Sequence, residues 1–470
     1  MFFKASLPND VALARSPQSK KSAYAKQPTT DTLTMRKRAG WAGDAADARA
    51  AAWTLLRKSF GNRAPTRCVD DRHCPEFPAG LGHGNDPQEY TGSNTRLSST
   101  MSDLRHLSRR RFLNLGAAAG SSLLLPPGLI RSAHAAAPLP AIAEKDAVIA
   151  FGHTGPVTDE GWTWSHDQGM KAVKAAFPQV KTVFVESIPY SADATRTYRQ
   201  FVSENACMVF ATSNYGDFLY DVAKRSPKVA FYECDGRNPL DNLSTYYVAH
   251  WYPTYVTGVA AGLMSKSGKL GYVASFPVPS VFSGTNAFLM GARSVNPNAT
   301  MQVITINSWF DPQAATQAGT ALLDNGCDLL FGIMDEAGYL QVAEKRGAKA
   351  VMWNTDIRRY GPKAYISSIV IDFKQYYVGE VKKRLEGTWT PSSTILPMGA
   401  GVDRDAWGES VPEDMRKQAD AVREKILGGW SPFVGEIKDA KGNVKVASGK
   451  RMSETELYNW DWPIAGISGL

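Results

Sequence analysis

Short apolar runs alternate with longer amphipathic stretches along the chain after about residue 145. The short runs are bounded by Gly, Pro, Asn, Asp or Ser, which is typical of buried β-strands. The stretches between them repeat apolar residues at helical spacing. The pattern predicts strands at 146–152, 182–186, 207–212, 228–234, 245–249, 269–275, 300–307, 329–332, 350–354 and 365–371. It predicts helices at 164–177, 193–205, 218–226, 253–265, 284–296, 312–325, 339–346 and 374–386.

This alternation of strands and helices predicts βαβ units, and therefore parallel sheets covered by helices on both faces. The region is longer than one hydrophobic core usually accommodates. We therefore predict an α/β fold of two doubly wound parallel-sheet lobes, with a ligand cleft where the carboxyl ends of the strands of both sheets converge. The expected lobes are residues 144–252 with 366–395, and residues 253–365 with 396–470.

A twin-arginine export signal precedes this pattern. The chain reads Ser108-Arg109-Arg110-Arg111-Phe112-Leu113, continues with an uncharged apolar stretch at 115–130, and reaches a small-residue cleavage site at Ala133-His134-Ala135. We predict a signal peptide over residues 101–137, initiation at Met101, cleavage near Ala135 or Ala137, and a periplasmic product. Residues 1–100 lack sustained apolar periodicity, so we expect a non-native or disordered upstream extension there rather than a further domain.

The net positive charge of the chain lies in residues 1–137. The whole chain carries a formal charge of +8, which by itself suggests an anionic partner such as nucleic acid. Residues 1–137 hold 20 of the 53 basic residues and 10 of the 45 acidic ones, so residues 138–470 keep 33 basic against 35 acidic residues, about −2. We therefore expect no nucleic-acid partner.

Four segments of the predicted periplasmic part are specific in their order and spacing. They are Gly155-Pro156-Val157-Thr158-Asp159-Glu160-Gly161-Trp162, the segment 257–271 with its exit Lys266-Ser267-Gly268-Lys269-Leu270-Gly271, Val295-Asn296-Pro297-Asn298, and Ser308-Trp309-Phe310-Asp311-Pro312. On these segments the sequence resembles the basic membrane protein (Bmp) family of ABC-transporter substrate-binding proteins, whose characterised members bind purine nucleosides. The resemblance spans about residues 147–377. It implies a monomeric type I periplasmic binding protein, or Venus flytrap, with a purine base or nucleoside as ligand and ABC permease subunits as partners.

The loop after the first predicted strand carries the first candidate ligand contacts. The resemblance to the Bmp family places Trp162 at the position of an aromatic residue that stacks on the purine. Thr163 stands where the family commonly has Asn. Asp159 either caps the following helix, which is the usual role of such an Asp, or contacts the ligand. Trp164 either packs at the helix start or offers a second flat face to the ligand.

Further candidates follow the ends of later strands. Tyr215 and Asp217 come after the strand that ends near residue 212, although a helix-capping Asp217 beside a surface Tyr215 is the alternative. In the second lobe the candidates that follow strands are Phe276, Trp309, Asp335 and Asp356. The resemblance places Phe276 at the cleft as an opposing wall, and Asp356 there as an acceptor for amino or hydroxyl hydrogens. Asp311 is expected to cap a helix instead.

One position departs from the family pattern. Nucleoside-binding members carry a Lys shortly after the Ser of the last strand of the lobe, where it contributes to ribose recognition. When Ser367-Ser368-Ile369-Val370 is aligned with that strand, Ile371 takes the place of the Lys. An apolar side chain at this position removes a donor to the sugar. We therefore expect a free purine base such as adenine to bind in preference to a nucleoside.

An enzyme and a sensor are the alternatives to a transport receptor. A nucleoside hydrolase needs paired carboxylates or a metal site, but the acidic residues of the candidate loops follow no Asp-x-Asp or His-x-x-His pattern. The sequence has no Gly-x-Ser-x-Gly elbow or Walker glycine loop, and the three cysteines after residue 137 are too few for a disulfide framework. We therefore expect a binding protein that is not an enzyme and needs no cofactor or metal. A periplasmic sensor that feeds a chemoreceptor or kinase shares the same pocket.

Overall fold

A computed structural model of the protein describes residues 139–470. The predicted twin-arginine segment at 101–137 and the upstream residues 1–100 lie outside this range. The first lobe opens with β1 (Val148–Gly152), α1 (Trp162–Ala176), β2 (Lys181–Val185), α2 (Ala192–Ser203), β3 (Met208–Ala211), α3 (Asp217–Arg225), β4 (Ala230–Cys234) and β5 (Leu243–Val248). The second lobe follows with α4 (Trp251–Met264), β6 (Lys269–Ala274), α5 (Pro279–Arg293), β7 (Thr300–Thr305), α6 (Pro312–Asp324), β8 (Leu329–Gly332), α7 (Gly338–Arg346), β9 (Lys349–Asn354) and β10 (Tyr365–Ile371). The C-terminal part contains α8 (Lys374–Glu386), β11 (Ser393–Leu396), β12 (Val402–Arg404), α9 (Glu413–Leu427), β13 (Ile437–Lys438), β14 (Val444–Val446), α10 (Glu454–Tyr458) and β15 (Ile467–Ser468).

Two sheets of mainly parallel strands form the centre of the described region. The first sheet has the order β11-β5-β4-β3-β1-β2, and its neighbouring strands run parallel. The second has the order β12-β10-β9-β8-β6-β7-β15, with β12 antiparallel to β10. Strands β3, β4 and β5 are buried along their whole length, as expected for a sheet that helices cover on both faces. The predicted α/β fold of two doubly wound lobes is confirmed.

The strand β10 corrects the predicted boundary between the lobes. The sequence pattern assigns residues 366–395 to the first lobe, but β10 pairs in parallel with β9, from Tyr365 opposite Ala350 to Val370 opposite Asn354. The chain returns to the first lobe after Ile371, where α8 packs against α1 and β11 adds to β5. The sequence of a buried apolar strand does not show which sheet the strand joins, because tertiary packing decides its partners.

Two closely packed helices anchor the second lobe. Helix α4 is rich in small residues, and α5 lies directly against it. A Cβ at Gly258 would lie 2.3 Å from the Phe288 carbonyl oxygen, and a Cβ at Gly262 would lie 2.4 Å from that of Ala292. Helix α5 begins at Pro279 rather than at 284, because Pro suits the first position of a helix.

The described residues contain three free cysteines, all of them buried: Cys207, Cys234 and Cys327. Between residues 139 and 470, no group of three or more His, Cys, Asp or Glu side chains is placed to hold a metal ion. No helix in this part of the chain combines the length and apolar character that crossing a membrane requires.

Candidate ligand-binding cleft between the lobes

Asp159, in the loop after β1, organises the N-terminus of α1. Its Oδ1 accepts hydrogen bonds from the amides of Gly161 at 2.8 Å and Trp164 at 2.9 Å. Its Oδ2 accepts one from the amide of Thr163 at 3.0 Å. A helix start leaves such N–H groups without a partner inside the helix. Asp159 therefore takes the capping role, and it does so at the edge of a cavity between the lobes.

The first helical amide of α1 is bound by the opposite lobe. The Trp162 amide donates to Oδ1 of Asp335 at 3.1 Å, across a sequence separation of 173 residues. Asn354, at the end of β9, donates its side-chain amide to the same oxygen. A Cβ at Gly161 would lie 2.7 Å from that oxygen, so this close approach requires glycine. Asp335 thus joins the two lobes directly.

Asp335 lies in an acidic, part-buried environment. Burial raises the pKa of Asp335 to about 8, and the negative charge of Asp159 adds to the increase. The hydrogen bond from the Trp162 amide lowers this pKa, but by less. Burial also raises the pKa of the neighbouring Glu336 to about 7. Both carboxyl groups therefore exchange protons near neutral pH, unlike ordinary surface carboxylates.

Glu160 makes a second connection between the lobes. Its backbone carbonyl accepts a hydrogen bond from the Thr355 hydroxyl, and its carboxylate pairs with the Arg359 guanidinium. The Tyr360 hydroxyl also donates to this carboxylate, at 3.1 Å. Glu160 has a φ of 59°, a left-handed conformation that is uncommon for a residue with a side chain. Sequence reasoning missed Glu160, Thr355 and Arg359, because only the folded chain brings these distant residues together.

Two cavities lie between the lobes, and Glu160 lines both of them. The smaller has a volume of about 360 Å³, and loop 156–161 meets Phe310, Asp335, Glu336, Trp353 and Tyr360 there. The larger has a volume of about 520 Å³ and is lined by residues that include Trp164, Gln168, Asn354, Asp356, Ile371 and Lys374. Both volumes fall within the range of roughly 300–1,000 Å³ that is typical of small-molecule sites.

Trp162 is held by ring packing and by one hydrogen bond. Its indole Nε1 donates to the Thr212 carbonyl at 2.7 Å. Its ring meets the rings of His166 and Phe373 edge to face, with centroids 4.7 Å and 5.9 Å away. Burial lowers the pKa of His166 well below its usual value, so this ring is neutral. The stacking of Trp162 on a ligand stays a prediction, since Trp162 is not among the residues that line the two cavities.

The other two candidates of this loop differ in exposure. Trp164 is 38% exposed and lines the larger cavity, which favours a flat ligand-facing surface over helix packing. Thr163 is only 1% exposed, and its hydroxyl lies against Gly155. Thr163 is therefore buried and lines neither described cavity, and a contact between its hydroxyl and a ligand stays a prediction.

The loop after β3 does not bring its two candidates to the described cavities. The Tyr215 hydroxyl donates to a backbone carbonyl at 3.0 Å, and its ring stacks on Tyr190 with centroids 4.8 Å apart, so Tyr215 is a buried packing residue. Asp217 is exposed in the first turn of α3. The carboxylate of Glu233 organises this loop by accepting the Tyr215 amide at 2.9 Å. The sequence could have pointed to Glu233, because it is an acidic residue inside the apolar strand β4.

Phe276 and Trp309 form an aromatic pair on the second lobe. Their ring centroids are 5.5 Å apart, and neither residue lines the two described cavities. The carbonyl of Trp309 accepts the Asp335 amide at 3.0 Å. The backbone of Trp309 therefore helps to position Asp335. Asp311 caps α6 as predicted, by accepting the Ala314 amide at 2.9 Å.

Asp356 lines the larger cavity but is already paired. Both of its carboxylate oxygens lie 2.8 Å from Nε of Arg358. The Arg358 guanidinium also reaches Asp405 at 2.5 Å, so it bridges two carboxylates. Asp356 therefore stays a predicted ligand acceptor, but both of its oxygens already accept from the neighbouring Arg358.

Comparison with known proteins identifies the family of this chain. The family model of PnrA-like ABC transporter substrate-binding proteins (Bmp) matches residues 147–416. The chain belongs to the Bmp family. The resemblance noted in the sequence is thereby confirmed. Substrate-binding proteins of this family work in the periplasm or at the cell surface, where they deliver small molecules to ABC permeases.

Individual relatives agree with this assignment. A purine-binding protein of Brucella abortus is 35% identical over 328 residues, which cover 69% of this chain and 94% of that protein. A Haloferax volcanii protein, named as an ABC transporter glucose-binding protein, is 32% identical over 295 residues, or 61% of this chain and 75% of that protein. An ABC transporter solute-binding protein from Conexibacter woesei has a similar fold, with a TM-score of 0.51 and 20% identity over 60% of this chain and 97% of that chain.

Proposed function

We propose that this protein captures a purine-type ligand between its lobes in the periplasm and presents it to an ABC permease in the inner membrane. It acts as a monomer and does not turn over its ligand. Family membership and the cleft between the lobes support a binding role. The purine class is supported by the Brucella relative, whose name records purine binding.

The larger cavity is the proposed ligand site. Trp164 offers a flat face to a planar ring, and such stacking adds on the order of 1 kcal/mol beyond the burial of apolar area. The side chains of Gln168 and Asn354 each carry an amide, which can both donate and accept hydrogen bonds. A purine presents donors and acceptors alternately along its edge, so these groups suit it.

The charged side chains of this cavity are paired with one another or with close neighbours. Asp356 pairs with Arg358, and Lys374 pairs with Asp372 at 3.2 Å. Arg359 pairs with Glu160. A site whose charges are already balanced favours a neutral ligand over an ion, because an ion would lose its hydration without gaining an opposite charge.

Ile371 carries the proposed preference for a free base. It is 5% exposed and lines the larger cavity beside Val370. Ribose hydroxyls against this apolar wall would lose water without gaining a partner, and an unsatisfied polar group costs about 1–3 kcal/mol. A base without the sugar avoids that loss. Adenine should therefore bind more tightly than adenosine.

Isothermal titration calorimetry with adenine, adenosine and glucose tests the proposal. Adenine should bind most tightly. Adenosine should be recovered intact after incubation with the protein. Tighter binding of adenosine would refute the base preference. Binding of glucose alone would replace the purine class with a sugar, as the name of the Haloferax relative suggests. Release of free base from adenosine would show an enzyme.

The distinction between transport and sensing needs a partner assay. Reconstitution with the ABC permease encoded nearest to this protein should give ATP hydrolysis that adenine and the binding protein stimulate together. Stimulation of a chemoreceptor or kinase, without any effect on a permease, would support the sensor alternative instead.

A further inference from the structure

Helix α1 has an N-terminus that is completed by the opposite lobe. A helix start leaves four N–H groups without an intrahelical partner. Asp159, on the same lobe, accepts the amides of Thr163 and Trp164. The amide of Trp162 instead donates to Asp335 on the second lobe, at 3.1 Å. The capping of α1 is therefore complete only while the lobes are together.

The residues around this contact allow the two lobes to approach closely. Gly161 leaves room for the Asp335 carboxylate, since a Cβ there would lie 2.7 Å from Oδ1 and 2.8 Å from the Asp335 Cβ. Asn354 and the Trp309 carbonyl hold Asp335 from its own lobe. Separation of the lobes would break the bond to Trp162 and return the Asp335 carboxylate to water.

The groups around Asp335 make its charge unfavourable in this position. Asp159 faces it from the loop before α1, and Glu336 follows it in its own loop. Asp311, before α6, adds negative charge near Glu336. The negative charge of Glu160 is paired with Arg359 and so contributes little. Burial together with these carboxylates raises the pKa of Asp335 to about 8, whereas an exposed Asp titrates near 4.

We propose that Asp335 is a positioning residue for ligand capture. When the lobes close, its carboxyl group accepts the Trp162 amide at the N-terminus of α1 and takes up one proton. With Oδ1 accepting the Trp162 amide, the proton resides on Oδ2. It comes from solvent and returns there when the lobes open. The inference rests on the proposed capture of a ligand between the lobes, but it does not depend on which ligand is captured.

The sign of the pH dependence follows from linkage. Opening of the lobes would return the Asp335 carboxylate to water and move it away from Asp159, so its pKa would fall below the value of about 8 that it has here. The closed state would then bind more protons than the open state between the two pKa values. Ligand affinity is therefore fully present at low pH and falls as pH rises through this interval. For one proton the fall approaches about tenfold per pH unit, and it levels off above the closed-state pKa.

Calorimetry with adenine across about pH 6 to pH 9 tests this inference, with proton uptake measured in buffers of different ionisation enthalpy. The wild type should bind at least about tenfold more weakly at the upper end and should take up a proton at the lower end. Asp335→Asn keeps an oxygen that accepts the Trp162 amide but cannot titrate, so its affinity should fall much less with rising pH than that of the wild type, with Glu336 left to titrate in the same loop. Asp335→Ala should bind weakly at every pH. Asp324→Asn, which alters an exposed aspartate paired with Arg346, should follow the wild type.

The result that would overturn the inference is a wild type whose affinity and proton uptake are the same as those of Asp335→Asn at every pH. Failure of the purine proposal gives a different result, since adenine would then produce no binding heat in any variant. In that event, small-angle X-ray scattering of the ligand-free protein decides the question. The radius of gyration should increase with pH more in the wild type than in Asp335→Asn, and equal changes in the two proteins contradict the inference.

Discussion

The Tyr458 hydroxyl donates a hydrogen bond of 2.7 Å to the carboxylate of Asp235, and this bond joins the C-terminal segment to the loop after β4 of the first lobe. The same segment is fixed to the second lobe, where Asn286 of α5 donates to the Trp462 carbonyl at 2.8 Å. The guanidinium of Arg237 lies over the Tyr458 ring, 4.3 Å from its centroid. The C-terminal segment is therefore a further connection between the lobes, beyond the end of the family match at residue 416.

Tyr458→Phe should destabilise the protein by about 1–2 kcal/mol, because it leaves the part-buried Asp235 carboxylate without its hydroxyl donor. Urea unfolding followed by tryptophan fluorescence measures the change. Asp235→Asn is the matched control, since its side-chain carbonyl still accepts from Tyr458, and it should lose less. Equal stability of Tyr458→Phe and the wild type would mean that this bond adds nothing to folding.

Gly161→Ala should impair ligand binding while leaving the fold intact. The added Cβ would lie 2.7 Å from Oδ1 of Asp335, so the lobes could not close fully. We expect adenine to bind at least about tenfold more weakly, equivalent to about 1.4 kcal/mol, as measured by calorimetry. The midpoint of thermal unfolding without ligand should change little.

The control for this substitution is Gly379→Ala in α8. A Cβ there meets nothing within 4 Å, and Ala is the better helix former by about 1 kcal/mol. This variant should be slightly more stable than the wild type and should bind adenine normally. If Gly161→Ala also bound adenine normally, the closed arrangement would not be the binding-competent one.

Ile371→Lys should shift the ligand preference toward nucleosides. A lysine would place an ammonium donor on the wall of the larger cavity that Ile371 now lines, where ribose hydroxyls could accept from it. The ratio of adenosine to adenine affinity should rise by about tenfold. Parallel titrations with both compounds measure this ratio, and Ile371→Leu, which keeps the wall apolar, should leave it unchanged. The idea fails if the lysine variant keeps the wild-type ratio.

Acid pH should destabilise the protein through His250. Burial lowers the pKa of His250 to about 3, so the folded state holds the imidazole neutral. In the unfolded chain a histidine has a pKa near 6.5, and the unfolded state therefore binds more protons as pH falls below that value. Stability is complete above this pH and declines toward the folded-state pKa, by about 1.4 kcal/mol per pH unit for one histidine.

Urea unfolding at several values between about pH 7 and pH 5 measures this dependence. His250→Gln removes the titrating group, so the free energy of unfolding should fall less steeply with decreasing pH than in the wild type. His153 is also buried, with a pKa lowered to about 4, so part of the acid sensitivity should remain in this variant. Identical slopes for the two proteins would contradict the assignment.

Several features of the cleft could be predicted because they depend on local sequence. A carboxylate just before a helix is well placed to cap it, as Asp311 and Asp159 do. The order of strands and helices was also readable from apolar periodicity. By contrast, the burial of Tyr215 and Thr163, and the bridge that Arg358 makes from Asp356 to Asp405, could not be read from the sequence, because each depends on how the folded chain packs.

The sequence by itself determined the two-lobed α/β fold, the family and the loops that border the cleft, because these follow from short-range periodicity and from motifs that are contiguous in the chain. Only the tertiary structure decided that β10 joins the second sheet, that Arg358 pairs with Asp405, and that Asp335 caps α1 from the other lobe. The physical reason is that hydrogen bonds and charge pairs act over a few ångströms in space. Residues such as Trp162 and Asp335, 173 positions apart, can therefore be paired only once the chain has folded.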